Sequence, residues 1–118
     1  MQPESTLEGQ ADHLVVQYLT DAGMQILARR WRCGCGEISL IARDAHITAF
    51  VHVRTRTRKS FQVPANAITF RKQQRLRRTA LLWLARQPEP WHRIRFDLAS
   101  VVLAPDQEPE IEYFQSVF

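Results

Sequence analysis

Apolar residues recur at spacings of three and four from Leu7 to Ala22, where Leu7, Ala11, Leu14, Val15, Tyr18 and Leu19 share one side. That period predicts an amphipathic helix, and Gly23 stands where a helix C-terminus favours a left-handed residue. Met24 to Trp31 reads as a strand, with Ile26 and Leu27 in it and Arg29 and Arg30 towards its end. Cys33-Gly34-Cys35-Gly36 reads as a turn, because two glycines permit positive φ. A second strand is predicted over Glu37 to Arg43 and a short hairpin turn at Asp44-Ala45-His46. A third strand, Ile47 to Thr57, is rich in β-branched and aromatic residues. Its later half alternates Arg54, Thr55, Arg56, Thr57, Arg58, the composition of a sheet rim rather than a core.

Ser60 to Ala67, with Pro64, reads as a loop. Ile68 to Arg86 carries the strongest helical pattern. Phe70, Leu76, Ala80, Trp83 and Leu84 supply its apolar side, and Arg71, Lys72, Arg75, Arg77 and Arg78 its basic surface. Gln87-Pro88-Glu89-Pro90 ends it. A fourth strand is predicted over Ile94 to Ala104, an acidic turn over Pro105 to Pro109, and a short edge strand over Ile111 to Phe114. The order α-β-β-β-α-β-β suggests an α/β fold, a mixed sheet covered on both faces. Without repeats or low-complexity segments, residues 1–118 are expected to form one domain.

Charge sharpens this picture. The chain carries a net charge of +4. Ten of its sixteen Lys and Arg lie between Ala45 and Pro88, and no Asp or Glu does. A one-sign field of that kind attracts polyanions. The readings open at this point are nucleic acid, an acidic protein partner, or a solvated face with no partner. Two cysteines are too few for a disulfide framework, and their spacing of one residue does not suit zinc, so free turn thiols are expected. The polar N-terminus and the lack of a long apolar run predict a cytoplasmic protein with no membrane partner. Trp83 is expected in the core, and His92, beside Trp91, in solvent.

Gly36-Glu37-Ile38-Ser39-Leu40-Ile41 followed by Phe50-Val51-His52-Val53-Arg54-Thr55-Arg56 resembles the YraN family of bacterial proteins, whose usual wording is GEIDLI and then FVEVK or FVEVR and TR. Ala28 to Arg32 resembles that family's AxNWR strand, and Lys72 to Leu76 its KQxRL helix. Arg95-Phe96-Asp97 resembles its RFD strand, and Tyr113 to Phe118 its closing YIKDAF. The likeness covers nearly the whole chain. It implies kinship with Holliday-junction resolvases. It also implies a restriction-endonuclease-like core, a central mixed β-sheet flanked by helices, with Mg²⁺-dependent DNA cleavage.

Resemblance places the family's catalytic positions at Asp12 on the first helix, Ser39 in place of the GEIDLI aspartate, His52 in place of the strand glutamate, and the basic residue Arg54. Two expected carboxylates are therefore replaced. Serine is a weak neutral ligand, and histidine does not suit Mg²⁺. Glu37 lies two residues before Ser39 and is expected behind the site. No metal or other cofactor is expected, with Asp12 and His52 the residues left for a softer ion. Arg54, Arg56, Arg58, Lys59, Arg71, Lys72, Arg75 and Arg78 are expected to meet phosphate, without reading sequence.

The expectation is thus a nuclease-fold protein that binds duplex or branched DNA and has lost standard Mg²⁺-dependent cleavage. Two alternatives stand beside it. One is an active endonuclease with a rewired site using Asp12, Glu37 and His52. The other is a protein-binding scaffold without nucleic acid. A homodimer is suggested by analogy with resolvases alone.

Overall fold

A computed structural model of the chain describes residues 6–57, 68–88 and 93–118. Helix α1 spans Leu7–Asp21, and Thr6 caps it by accepting the Gly9 N–H at 2.8 Å. It ends in a Schellman motif. Met24 N–H donates to the Leu19 carbonyl, Gly23 N–H donates to that of Thr20, and Gly23 takes a φ of 88°. Strands β1 (Gln25–Cys33), β2 (Gly36–Arg43) and β3 (Ile47–Arg56) form the expected meander. The β2–β3 turn is closed by Asp44, whose Oδ1 accepts the N–H groups of His46 and Ile47, both at 2.8 Å. Helix α2 (Phe70–Ala85) then leads to β4 (Arg93–Val102) and β5 (Glu110–Phe114).

The five strands lie in sequence order, β1-β2-β3-β4-β5. All neighbours are antiparallel except β3 and β4, which run parallel from Ile47↔Arg93 to Arg56↔Val102 with α2 connecting them. The sheet is therefore mixed and flanked by two helices, compatible with a restriction-endonuclease-like core. One face packs Ala11, Val15 and Leu19 of α1 against Leu40, Val51, Val53 and Val101. The other packs Leu76, Ala80, Trp83 and Leu84 of α2 against Ile38, Ile41, Phe50, Phe96 and Leu98.

Two local expectations are corrected. Helix α2 begins at Phe70, two residues later than the pattern suggests, with Thr69 as its cap. Phe70 is consequently 68% exposed, and Ile68, just before the cap, enters the core in its place. The Cys33–Gly36 turn does form, but neither of its glycines takes a positive φ. Gly36 is required there by close approach: a Cβ at that position would lie 2.8 Å from Thr79 Oγ1 and 3.1 Å from Arg75 Cγ.

Candidate functional site

The β2–β3 ladder runs from Arg43↔Thr48 to Leu40↔Val51 and stops there. Beyond that point β2 stays with β1 as far as Cys33↔Gly36, and β3 stays with β4. The sheet thus forks. Ser39 bridges the fork, its Oγ accepting the Val53 N–H at 3.1 Å. A cleft of about 1310 Å³ opens at the fork, with walls contributed by α1, the β1–β2 hairpin, β3 and α2. Asp12, Glu37, Ser39 and His52, which the sequence spreads over 41 positions, all line it.

The centre of the cleft is held by a residue that sequence reasoning leaves without a role. Arg30, on β1, donates from Nε to Asp12 Oδ2 at 2.6 Å and from Nη2 to Asp12 Oδ1 at 3.0 Å. Its Nη1 donates to Glu37 Oε1 at 2.9 Å, and Glu8 lies 3.9 Å away. Burial works against the guanidinium's charge, but the bonds to Asp12 and Glu37 outweigh it and raise the Arg30 pKa. The geometry is that of a bidentate guanidinium–carboxylate pair, the strongest form of such contacts. Arg30 reaches it with a φ of 49°, a left-handed conformation uncommon for a residue with a Cβ. In the AxNWR wording that β1 resembles, this position is asparagine, a residue that tolerates that conformation better. That substitution is the one signal in the sequence that could have singled Arg30 out.

Magnesium does not fit the donors present. It requires near-octahedral oxygen ligation that includes free carboxylate oxygens. Both Asp12 oxygens are taken by Arg30, and the Ser39 hydroxyl is taken by backbone. Glu37 is shared between Arg30 and Arg32, the latter at 3.0 Å. Nor do Asp12, Glu37 and His52 gather for a softer ion. Among the described residues, no group of three or more His, Cys, Asp or Glu is placed to hold a metal. His52 is a neutral base here. Burial, with the nearby charges of Lys72, Arg30 and Arg54, holds its pKa down to about 4.

Three carboxylates line the cleft, Glu8, Asp12 and Glu37, and all three face Arg30 or Arg32; two further cations line it from α2. Lys72 and Arg75 project from α2 into the cleft, and neither forms an ion pair among the described residues. Arg71 and Arg78 are exposed on the same helix but do not line the cleft. Arg54 and Arg56 are half-buried on β3 outside it. Arg58 and Lys59 lie outside the described residues, as do Trp91 and His92. Arg77 and Arg86 cover the rings of Phe118 and Trp31 at 5.0 and 5.4 Å.

A second polar cluster supports β4. Asp97, 1% exposed, accepts from Arg95 Nε at 2.9 Å, from the Tyr113 hydroxyl at 2.6 Å and from the Ser116 N–H at 2.9 Å. Burial, and then the bond to Asp97, raise the Tyr113 pKa well above the usual phenol range. The cluster fixes β5 and the C-terminal residues to β4, away from the cleft.

A forked mixed sheet between two helices, with a polar cleft at the fork, defines an α/β protein compatible with a restriction-endonuclease-like core. Residues 11–101 match the family described as Uncharacterised protein family UPF0102, and the chain belongs to that family, the YraN family of the motifs above. A UPF0102 protein of Nocardia farcinica (strain IFM 10152) is 51% identical, over 98% of this chain and 91% of its own. One from Rhodococcus opacus (strain B4) is 38% identical, over 95% of both chains. One from Mycobacterium tuberculosis (strain ATCC 25177 / H37Ra) is 42% identical, over 94% of this chain and 91% of its own. Among the described residues, no helix is long and apolar enough to cross a membrane.

Proposed function

We propose that this protein binds DNA, duplex or branched, through the cleft and the adjoining face of α2, and does not carry out Mg²⁺-dependent phosphodiester cleavage. One observation carries the reading: a guanidinium belonging to the chain sits between Asp12 and Glu37 and engages both Asp12 oxygens and one of Glu37, where a metal would need them free. What remains for a ligand is the charge of Lys72 and Arg75, continued on α2 by Arg71 and Arg78. Such residues hold phosphate through charge and hydrogen bonds, independently of base identity.

The test is a binding titration with duplex, single-stranded and four-way DNA across a range of salt, with cleavage followed in Mg²⁺ and Mn²⁺. Affinity should fall steeply with salt. The double variant Lys72→Ala/Arg75→Ala should weaken binding to all sequences alike and reduce the salt slope by about 2. Cleavage that disappears on Asp12→Ala would overturn the catalytic half of the proposal. Salt-insensitive binding, or none, would overturn the other half.

A further inference from the structure

The tip of the β1–β2 hairpin holds a feature that DNA binding does not use. Cys33 and Gly36 are the last paired residues of that hairpin, so Gly34 and Cys35 alone make the turn. The turn brings the Cys33 and Cys35 sulfurs to 2.9 Å, and both thiols are free and partly exposed. Cys33 Sγ also accepts the Cys35 N–H at 3.4 Å, and Thr79 Oγ1 lies 3.7 Å from Cys35 Sγ. We propose that Cys33 and Cys35 are a reversible dithiol–disulfide pair, a site of two-electron oxidation at the rim of the cleft.

Three physical points support the assignment. The sulfurs are already in contact at 2.9 Å, so no other element has to move to bring them together. The residue between them is glycine, which lets the chain bend into the small ring that a disulfide would close. The Cys33 thiol also has its pKa lowered from the ordinary thiol value. The hydrogen bond with Cys35 lowers its pKa most, burial opposes this, and the N–H groups of Cys35 and Gly36 and the Thr79 hydroxyl add to the lowering. A thiolate is the form that attacks an oxidant. With hydrogen peroxide as the oxidant, the Cys33 sulfur forms a bond to oxygen as the O–O bond breaks, and one water leaves. Cys35 then attacks the Cys33 sulfur, the S–S bond forms, the S–O bond breaks, and a second water leaves. Two thiols lose two electrons and two protons, and the peroxide is reduced to two waters. A ring this small is strained, and strained exposed disulfides return readily to thiols.

The site also has a path to the cleft. Both cysteines line it, and Gly36 is wedged against Thr79 and Arg75 of α2. A turn redrawn by a disulfide shifts that wedge, and with it the cationic wall. This consequence, unlike the chemistry, rests on the DNA-binding reading.

The experiment treats the full chain with stoichiometric hydrogen peroxide and follows intact mass, free thiols and DNA affinity. The expected result is a monomer that loses both thiols and the mass of two hydrogens, restored by dithiothreitol. Cys33→Ser and Cys35→Ser should each abolish that mass loss. Thiols that persist, sulfurs that only gain oxygen, or chains that join to one another would overturn the proposal. DNA affinity should differ between the two states by at least about fivefold, the lower range of site-to-site coupling. A disulfide that leaves affinity unchanged would overturn the link to the cleft. A disulfide in a protein that binds no DNA in either state would overturn the DNA-binding reading and leave the dithiol site standing.

Discussion

Replacing Arg30 with alanine removes both hydrogen bonds to Asp12 and leaves a carboxylate whose side chain is 6% exposed without its cation. Stripping one partner from a buried pair costs about 3–5 kcal/mol. Arg30 itself is 32% exposed, so water entering its place screens part of the loss, and about 1.5–3 kcal/mol is expected. The backbone adds a second handle. Arg30 and alanine both bear the strain of a φ of 49°, whereas glycine does not. Arg30→Gly should therefore be more stable than Arg30→Ala by about 0.5–1 kcal/mol, after glycine's larger unfolded-state entropy is counted. Urea unfolding of the parent, Asp12→Asn, and both Arg30 variants with and without Asp12→Asn gives the complete cycle. In that background the loss on Arg30→Ala should shrink by at least about 1 kcal/mol, since no charge is left stranded. An Arg30→Ala variant within about 0.5 kcal/mol of the parent would mean that the pair with Asp12 adds no net stability. A loss that Asp12→Asn does not change would refute the reasoning.

Three further outcomes are expected. His52 has its pKa held to about 4 against 6.5, so between those values the unfolded chain binds the extra proton. Stability should be complete above about pH 6.5 and decline by about 1–2 kcal/mol by pH 5. His52→Gln should flatten that decline, and parallel pH profiles for the two proteins would count against it. Gly36→Ala should destabilise by about 1–3 kcal/mol, because its Cβ meets Thr79 and Arg75, and a thermal melt reads this directly. Tyr113→Phe removes the 2.6 Å bond to the buried Asp97 and should lower stability by about 1.5–3 kcal/mol in urea; an unchanged midpoint would show that Arg95 and Ser116 suffice to hold that carboxylate.

Most of the architecture is legible in the chain because each element carries its own period. The α1 stripe, the β-branched run from Ile47 and the α2 stripe each encode a face, and Gly23 encodes an end. The convergence of Asp12, Ser39 and His52 is legible only through the family motifs, since nothing local says where strands will fork. Arg30 is not legible from the hydrophobic pattern, and only its departure from the AxNWR wording marks it. Its role depends on a left-handed backbone inside a strand and on a helix eighteen residues earlier in sequence. Asp97 shows the same limit: the RFD motif marks the residue, but its partners Tyr113 and Ser116 arrive from beyond β4. The acid-free stretch also proves less uniform than its charge count. Arg77 and Arg86 lie over aromatic rings, while Lys72 and Arg75 face the cleft.

A cation that belongs to the polypeptide also constrains how this cleft can change over generations. A metal ion can be lost and regained with no change in the chain, whereas Arg30 can be displaced only by mutation. An aspartate introduced at Ser39, or a glutamate at His52, would arrive beside a guanidinium already seated and would pair with it or with its neighbours. An aspartate at Ser39 would also have to take over the bond from the Val53 N–H. Removing Arg30 first leaves Asp12 stranded. A metal centre in this cleft therefore requires Arg30 and its partners to change together.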